Sequence, residues 1–388
     1  MTAMSVPPGT RRLRLGMVGG GEGAFIGAVH RMAARLDDRW VLVAGALSSD
    51  PARAAASAAA LHIAPGRCYA GFEEMAAAEA ARADGIDAVA IVTPNHLHAP
   101  VARAFLHAGI HVICDKPLAT TLAEGRELVA LARTRQRLLA VTYNYSGYPM
   151  VRHARRLVAQ GRLGRVRLVQ VEYTQDWLAN PIEAEGRRQA AWRTDPARAG
   201  AAGCLGDIGT HAIQLACFVT GLRLEALAAE LSTFVPGRRV DDNVHALLRF
   251  EGGGRGALWA SQVAAGAANG LVLRVHGEAA GIEFAQERPE ELRFTPNGGA
   301  TTTLRRGQAD AAPAERVRVP AGHPEGFIEA FATLYADIAD RLHTWPGAAE
   351  GAAALLPTGE DGVQGLAFVE AALASAARGG AFVPVSAG

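Results

Sequence analysis

The first 145 residues alternate wholly apolar segments with amphipathic stretches, and this rhythm constrains the fold more than any other feature of the chain. LRLGMVG opens it at Leu13 and a helix runs to about Leu36. WVLVAGALS follows, then a helix over PARAAASAAAL, DAVAIVT, a helix to His107, HVICD, a further helix and LLAVTYN. A strand that is apolar on both sides must be covered on both faces, and intervening helices of about 10 to 15 residues are long enough to cross back over a sheet. Residues 1–145 are therefore expected to form a doubly wound, parallel α/β domain.

Past Tyr145 the rhythm changes. After a helix over about Pro149 to Gln160, GRLGRVRLVQVEYTQDW begins longer strands in which apolar and polar residues alternate. LEALAAELSTFV, DDNVHALLRFEG, GRGALWASQVA and GLVLRVHG continue them. Alternation with Gly, Asn and Asp turns reads as an open, mainly antiparallel sheet, one face on helices and the other free for a second subunit. PEGFIEAFATLYADIADRL and EDGVQGLAFVEAALASAA carry apolar residues at helical spacing and are expected to pack back on the body. GGATTTLRRGQADAAPAE reads as an exposed hairpin. The second domain, α+β, is placed at 146–388, and a chain of 388 residues is long enough for two cores.

A net charge of +1 without a basic block excludes a nucleic-acid surface or an anionic membrane as partner and favours a small, mostly neutral ligand. No run approaches the ~20 apolar residues of a membrane span, and MTAMSVPPGTRRLRL lacks the core of a secretory signal, so a soluble, cytoplasmic protein is expected. Cys68, Cys114, Cys204 and Cys217 form no CxxC pair, which points to reduced thiols rather than zinc or disulfides.

Five segments carry chemistry. In VGGGEGAFIG, directly after the first strand, Gly19 and Gly21 suit the tight turn and close backbone approach of a pyrophosphate site. The third small position is Ala24 or Gly27, and Phe25 and Ile26 open the helix whose positive end faces the phosphates. The ribose-binding acid expected about 20 residues on is missing: Ser48 and Ser49 stand there, with Asp50 just beyond and Arg53 one turn later. Asp50 favours NAD, while NADP stays open. IVTPNHLH ends the strand DAVAIV and puts Thr93, Pro94, Asn95 and His98 at a carboxyl strand end, where open α/β sheets bind ligands. The HxH spacing of His96 and His98, with no Cys or carboxylate beside it, favours caps or packing over a metal, and no metal site is expected.

CDKP holds Asp115 and Lys116. Of 39 basic residues all but Lys116 are arginine. On a solvated surface that exchange costs little, but only lysine offers a compact ammonium with a tunable pKa. Such a group can hold a developing alkoxide. In WRTDPARAGAAGCLGDIGTHAIQLACFVTG, Asp207 and His211 are four apart on a helix expected over Gly206 to Val219. A carboxylate and an imidazole on one face can bracket a hydroxyl.

Together these segments resemble the glucose-fructose oxidoreductase, inositol dehydrogenase and rhizopine-catabolism (Gfo/Idh/MocA) family, from about Leu13 to the final helix. The marks are the glycine fingerprint, TPNHLH, DKP in place of the commoner EKP, GRLG, WR and GxxxDxGxH. The resemblance implies a catalytic set of Lys116, Asp207 and His211. It implies cofactor contacts from Asn95 and the first-domain loops, Trp192 and Arg193 as part of the cofactor or substrate wall, and dimers or tetramers through the open sheet, and Asn144 at the end of LLAVTYN is a further candidate cofactor contact. Asp115 for glutamate shortens one side chain, and Ser48 for the ribose acid leaves cofactor choice open.

The resulting expectation is hydride transfer between a nicotinamide and a secondary alcohol of a sugar or cyclitol. His211 takes the proton, Lys116 holds the alkoxide and Asp207 orients substrate and base. Tyr143, Asn144, Tyr145, Tyr148, Asp176, Trp177, either Asp241 or Asp242, and His323 are candidate substrate contacts. Two rivals are a glycoside-cleaving enzyme whose NAD stays bound, and a nicotinamide-binding sensor, for which a proton acceptor would have no use.

Overall fold

The computed structural model describes residues 11–307, 315–347 and 351–386. It divides into two compact units, Met1–Gly147 with Phe327–Gly362, and Tyr148–Gly326 with Val363–Gly388. Residues 327–362, expected with the second domain, thus count with the first.

In the first unit, β1 (Leu13–Gly19), β2 (Trp40–Ala46), β3 (Ala88–Val92), β4 (His111–Cys114) and β5 (Leu139–Val141) form a parallel sheet in the order β2-β1-β3-β4-β5. The crossovers run through α1 (Phe25–Leu36), α2 (Pro51–Ala60), α3 (Phe72–Ala81), α4 (His98–His107) and α5 (Leu122–Thr134). Every residue of β3, AVAIV, is buried, which is why the segment shows no polar alternation. Strand order reverses between β1 and β3, and the carboxyl ends at such a switch point bound a ligand crevice.

The later helix Phe327–His343 covers this sheet. Tyr335 stands edge-on to His30 and Trp40, at 5.8 and 5.9 Å between ring centroids, and its carbonyl accepts from Trp40 Nε1 at 2.9 Å. Arg39 pairs with Asp340 at 2.5 Å. An amphipathic stripe records that a helix has a buried side, not which sheet lies beneath it.

The second unit begins with α6 (Pro149–Ala159), β6 (Val166–Thr174), α7 (Arg188–Arg193), α8 (Pro196–Ala199), a π-type turn at Leu205–Gly209 and α9 (Thr210–Thr220). Strands β7 (Leu224–Ser232), β8 (Asn243–Phe250), β9 (Arg255–Ser261), β10 (Gly270–Gly277), β11 (Ala280–Ala285), β12 (Glu291–Pro296), β13 (Thr302–Arg305) and β14 (Val383–Pro384) complete it. The nine strands lie in the order β13-β12-β11-β10-β6-β9-β8-β7-β14. The β6–β9 pair is parallel and its neighbours antiparallel, so the sheet is mixed at its centre.

Alternation in β8 assigns the faces: Val244, Ala246, Leu248 and Phe250 are buried, while His245, Leu247 and Arg249 are exposed. On the outward face Leu168 and Leu247 stand more than half exposed, His245 stacks on Trp259 at 5.8 Å, and Arg274 bridges Glu172 and Glu283 at 2.7 and 2.8 Å. The expected hairpin at 298–315 is represented by β13 paired with β12, and residues 308–314 lie outside those described. Among the described residues no helix is long and apolar enough to cross a membrane.

Candidate active site

In the first unit, Gly19, Gly20 and Gly23 take φ values of 79°, 73° and 77° in the turn after β1, a region that L side chains rarely enter. A Cβ on Gly27 would overlap Cα of Gly20 and lie 2.8 Å from its carbonyl oxygen. The open choice between Ala24 and Gly27 therefore falls to Gly27, whose missing side chain lets α1 sit on the turn. Ala24 precedes α1 in extended conformation without a side-chain cap, which leaves the first N–H groups of the helix, at Phe25 and Ile26, to an anion.

The loop after β2 holds a local cap. Ser48 Oγ accepts from the Asp50 N–H at 3.1 Å, and Asp50 Oδ1 accepts from the Arg53 N–H at 3.1 Å to start α2. Ser49 lies between them.

At the carboxyl ends of the other strands, Gly19 lies against Thr93, whose Cγ2 would be 3.0 Å from an added Cβ. Buried Asn95 starts a single turn before α4. Thr93 Oγ1 and Asn144 Nδ2 are buried and have no hydrogen-bond partner among the described residues. Asp115 Oδ1 accepts from the Lys116 N–H and from Thr142 Oγ1, each at 2.9 Å, and so ties the loop after β4 to the end of β5. The glycine cradle, the uncapped helix and the orphaned polar atoms at one sheet edge fit a dinucleotide. Tyr143 and Tyr145 are buried nearby in the chain.

His98 departs from its expected role as a cofactor contact. Its ring is buried, with Nδ1 2.7 Å from the Pro117 carbonyl and Nε2 2.9 Å from that of Thr93, so both nitrogens are committed within the protein. Among the described residues no group of three or more His, Cys, Asp or Glu is placed to hold a metal ion.

In the second unit, Asp207 sits inside the π-type turn and His211 in the first turn of α9, where a regular helix over Gly206 to Val219 was expected. A π turn widens the backbone ring and recurs at functional sites. Asp207 Oδ2 accepts from Gln262 Nε2 at 2.8 Å and from Arg193 Nε at 3.3 Å. The Arg193 guanidinium lies 4.2 Å from the Trp192 ring centroid and 5.8 Å from that of Trp177, so two indoles and a carboxylate fix it. His211 is buried, with the Tyr173 ring 6.3 Å away.

Asp241 and Asp242 are not substrate groups, because their carboxylates serve the backbone. Asp241 accepts from the Gly203 and Leu205 N–H groups, each at 2.7 Å, and so clamps the start of the π turn. Asp242 accepts from the Phe234 and Val235 N–H groups and pairs with buried Arg238 at 3.2 Å. Tyr148 is buried and its hydroxyl accepts from Gln286 Nε2 at 3.0 Å. Asp176 accepts from the Gly266 N–H, and Trp177 donates to Gln175. His323 is exposed, its carbonyl held by Arg306.

Gln262 escaped the sequence reading. Its signal was a lone amide at the end of the apolar strand GALWAS, too common to single out.

Residues 13–143 match the family model described as oxidoreductase family, NAD-binding Rossmann fold, and residues 151–283 match the GFO/IDH/MocA C-terminal domain. The levoglucosan dehydrogenase of Pseudarthrobacter phenanthrenivorans is 32% identical over 310 residues, 73% of this chain and 76% of that one. Among solved structures, an oxidoreductase from Sinorhizobium meliloti is 48% identical with a TM-score of 0.88, covering 96% of this chain and 100% of that one. An inositol dehydrogenase homologue from Azotobacter vinelandii, complexed with NADH and myo-inositol, is 36% identical with a TM-score of 0.87, covering 97% and 98%.

Proposed function

Because this chain belongs to the Gfo/Idh/MocA family of NAD-binding oxidoreductases, we propose that it oxidises a secondary alcohol of a sugar or cyclitol, with Lys116, Asp207 and His211 as its catalytic residues. The observation that carries this reading is the place of the chain's only lysine. It stands in the loop after β4, at the same sheet edge as the glycine turn and the orphaned Thr93 and Asn144 atoms. Relatives that act on levoglucosan or bind myo-inositol support a polyhydroxylated substrate.

NAD+, when bound, supplies the hydride acceptor. The turn from Gly19 to Gly27 and the start of α1 hold its pyrophosphate, and Thr93, Pro94, Asn95 and Asn144 line the remainder. Lys116 donates to the substrate oxygen and stabilises the alkoxide as hydride leaves the carbon, and His211 accepts the hydroxyl proton. Asp207, paired with Arg193 and held by Gln262, orients the substrate hydroxyl and the base. Trp192, Trp177, Tyr145, Tyr148, Asp176 and His323 complete the proposed surroundings, the buried ones by shaping the wall. Asp50 keeps a negative charge in the loop after β2, which opposes a 2′-phosphate and favours NAD+ over NADP+. Exposed Leu168 and Leu247 and the His245–Trp259 stack suit the outward sheet face to a dimer or tetramer.

The test is a spectrophotometric screen of inositols, aldoses and glycosides with NAD+ and NADP+ in parallel. NADH formation with at least one cyclitol or sugar is expected. No absorbance change with any of them refutes the dehydrogenase, and cleavage of a glycoside with cofactor permanently bound would reassign it.

A further inference from the structure

His98 is the first residue of α4, yet its ring is only 1% exposed. The two carbonyls it meets, those of Thr93 and Pro117, belong to different loops. One follows β3 and carries Asn95, and the other follows β4 and carries Lys116. The last backbone bond between the two strand ends is the Asp115 N–H to the Ile91 carbonyl at 3.0 Å, and past it the His98 ring is what lies between the backbone at Thr93 and the backbone at Pro117.

We propose that His98 is a positioning residue for Lys116, a strut that from the start of α4 holds the backbone at Pro117 through Nδ1, with Nε2 against the Thr93 carbonyl. The inference rests on reading Lys116 as the alkoxide-binding group and adds what fixes its loop. The charged and titratable groups facing the ring are Asp115 and Lys116 from the β4 loop and His30 from α1. Burial lowers the His98 pKa, Asp115 and the two carbonyls oppose that, and Lys116 adds to it. His30 is itself pushed down to about 4 by burial and stays neutral. A neutral ring donates to one carbonyl and an imidazolium to both, so in either form the ring keeps a bond to this pair of loops.

Two amides separate the two ends of the strut. The asparagine nitrogen falls near Nδ1 and keeps the Pro117 bond, while the glutamine nitrogen falls near Nε2 and keeps only the Thr93 bond. His98→Leu keeps neither. As Lys116 is the only lysine, reductive methylation with isotope-labelled formaldehyde marks that side chain and the N-terminal amine alone.

The experiment records the dimethyl-lysine NMR signal across pH in the full-length protein, together with NAD+ affinity, and the kinetics of unmethylated enzyme. His98→Gln and His98→Leu should displace the signal and its titration midpoint and lower kcat by about a hundredfold, as a displacement of about 1 Å does, with NAD+ affinity kept. His98→Asn should lose less than about tenfold and keep a near-native signal. A signal unchanged in all three variants overturns the strut, whatever the activity. Equal loss of NAD+ affinity in all three also overturns it, making His98 a cofactor contact. A displaced signal in a protein that oxidises no sugar or cyclitol upholds the strut and refutes the dehydrogenase reading instead.

Discussion

Replacing Asp241 with asparagine exposes a conflict built into the second unit. The carboxylate accepts two backbone N–H bonds of 2.7 Å, yet burial pushes its pKa from 3.8 up to about 6. The folded state thus binds this proton more tightly than the unfolded chain does. The stabilisation this brings is complete below about pH 4 and is lost as pH rises through about 6. At about 1.4 kcal/mol per pH unit, ionisation costs the fold about 3 kcal/mol by neutral pH. Asparagine does not titrate, and it offers one acceptor where two N–H groups need one each. Its NH2 therefore faces the amide of Gly203 or Leu205, at a cost of about 1–3 kcal/mol. Wild type should be more stable than Asp241→Asn by about 1–3 kcal/mol near pH 4, and the gap should close toward neutral pH as the wild-type charge develops. For a unit of this size each kcal/mol moves Tm by roughly 2–4 °C, which thermal denaturation followed by circular dichroism at a series of pH values resolves. A gap that is constant, or that widens with pH, would refute the reasoning.

Gly27→Ala presses a methyl group onto backbone atoms of Gly20 that cannot step aside. A loss of about 1–3 kcal/mol is expected in denaturant titrations, together with weaker NAD+ binding by calorimetry. Native stability with native affinity would remove Gly27 from the fingerprint. Gln262→Leu deletes the 2.8 Å bond to Asp207 with little change in volume. Because a hydrogen bond to a charged group is worth about 1.5–3 kcal/mol, kcat/KM should fall by about ten- to a hundredfold with NAD+ affinity unchanged. Steady-state kinetics decides it, and an unaltered kcat/KM would mean that Asp207 needs no such support.

The first unit was legible because a parallel sheet buries both faces of its strands. AVAIV and the glycine turn carry their surroundings in their composition. The second unit was legible only in its alternation. That pattern shows which side of β6 is buried but not that β9 pairs with it in parallel, since the pairing joins residues far apart in the chain. The stripe on Phe327–His343 reads the same over either sheet, and the boundary at 145 consequently missed its place in the first unit.

The site shows the same division. Spacing put Asp207 and His211 on one helix, but side-chain periodicity does not register the π turn that holds Asp207. Asp241 or Asp242 is a candidate substrate group by residue type alone. Only the fold turns them inward onto backbone N–H groups. His98 is a related case: a polar residue at a strand end suggests a ligand contact as readily as a packing one, and its two carbonyl partners come from loops that are not adjacent in sequence.

The measurement that bears most directly on the central claim is single-turnover NADH formation by Lys116→Arg with a substrate found in the screen. Arginine keeps the positive charge but is bulkier, planar and never neutral at usable pH. A fall of about a hundredfold or more in the hydride-transfer rate, with NAD+ affinity retained, is the predicted result. A wild-type rate would contradict the account, because the only lysine in the chain would then be dispensable to the chemistry assigned to it.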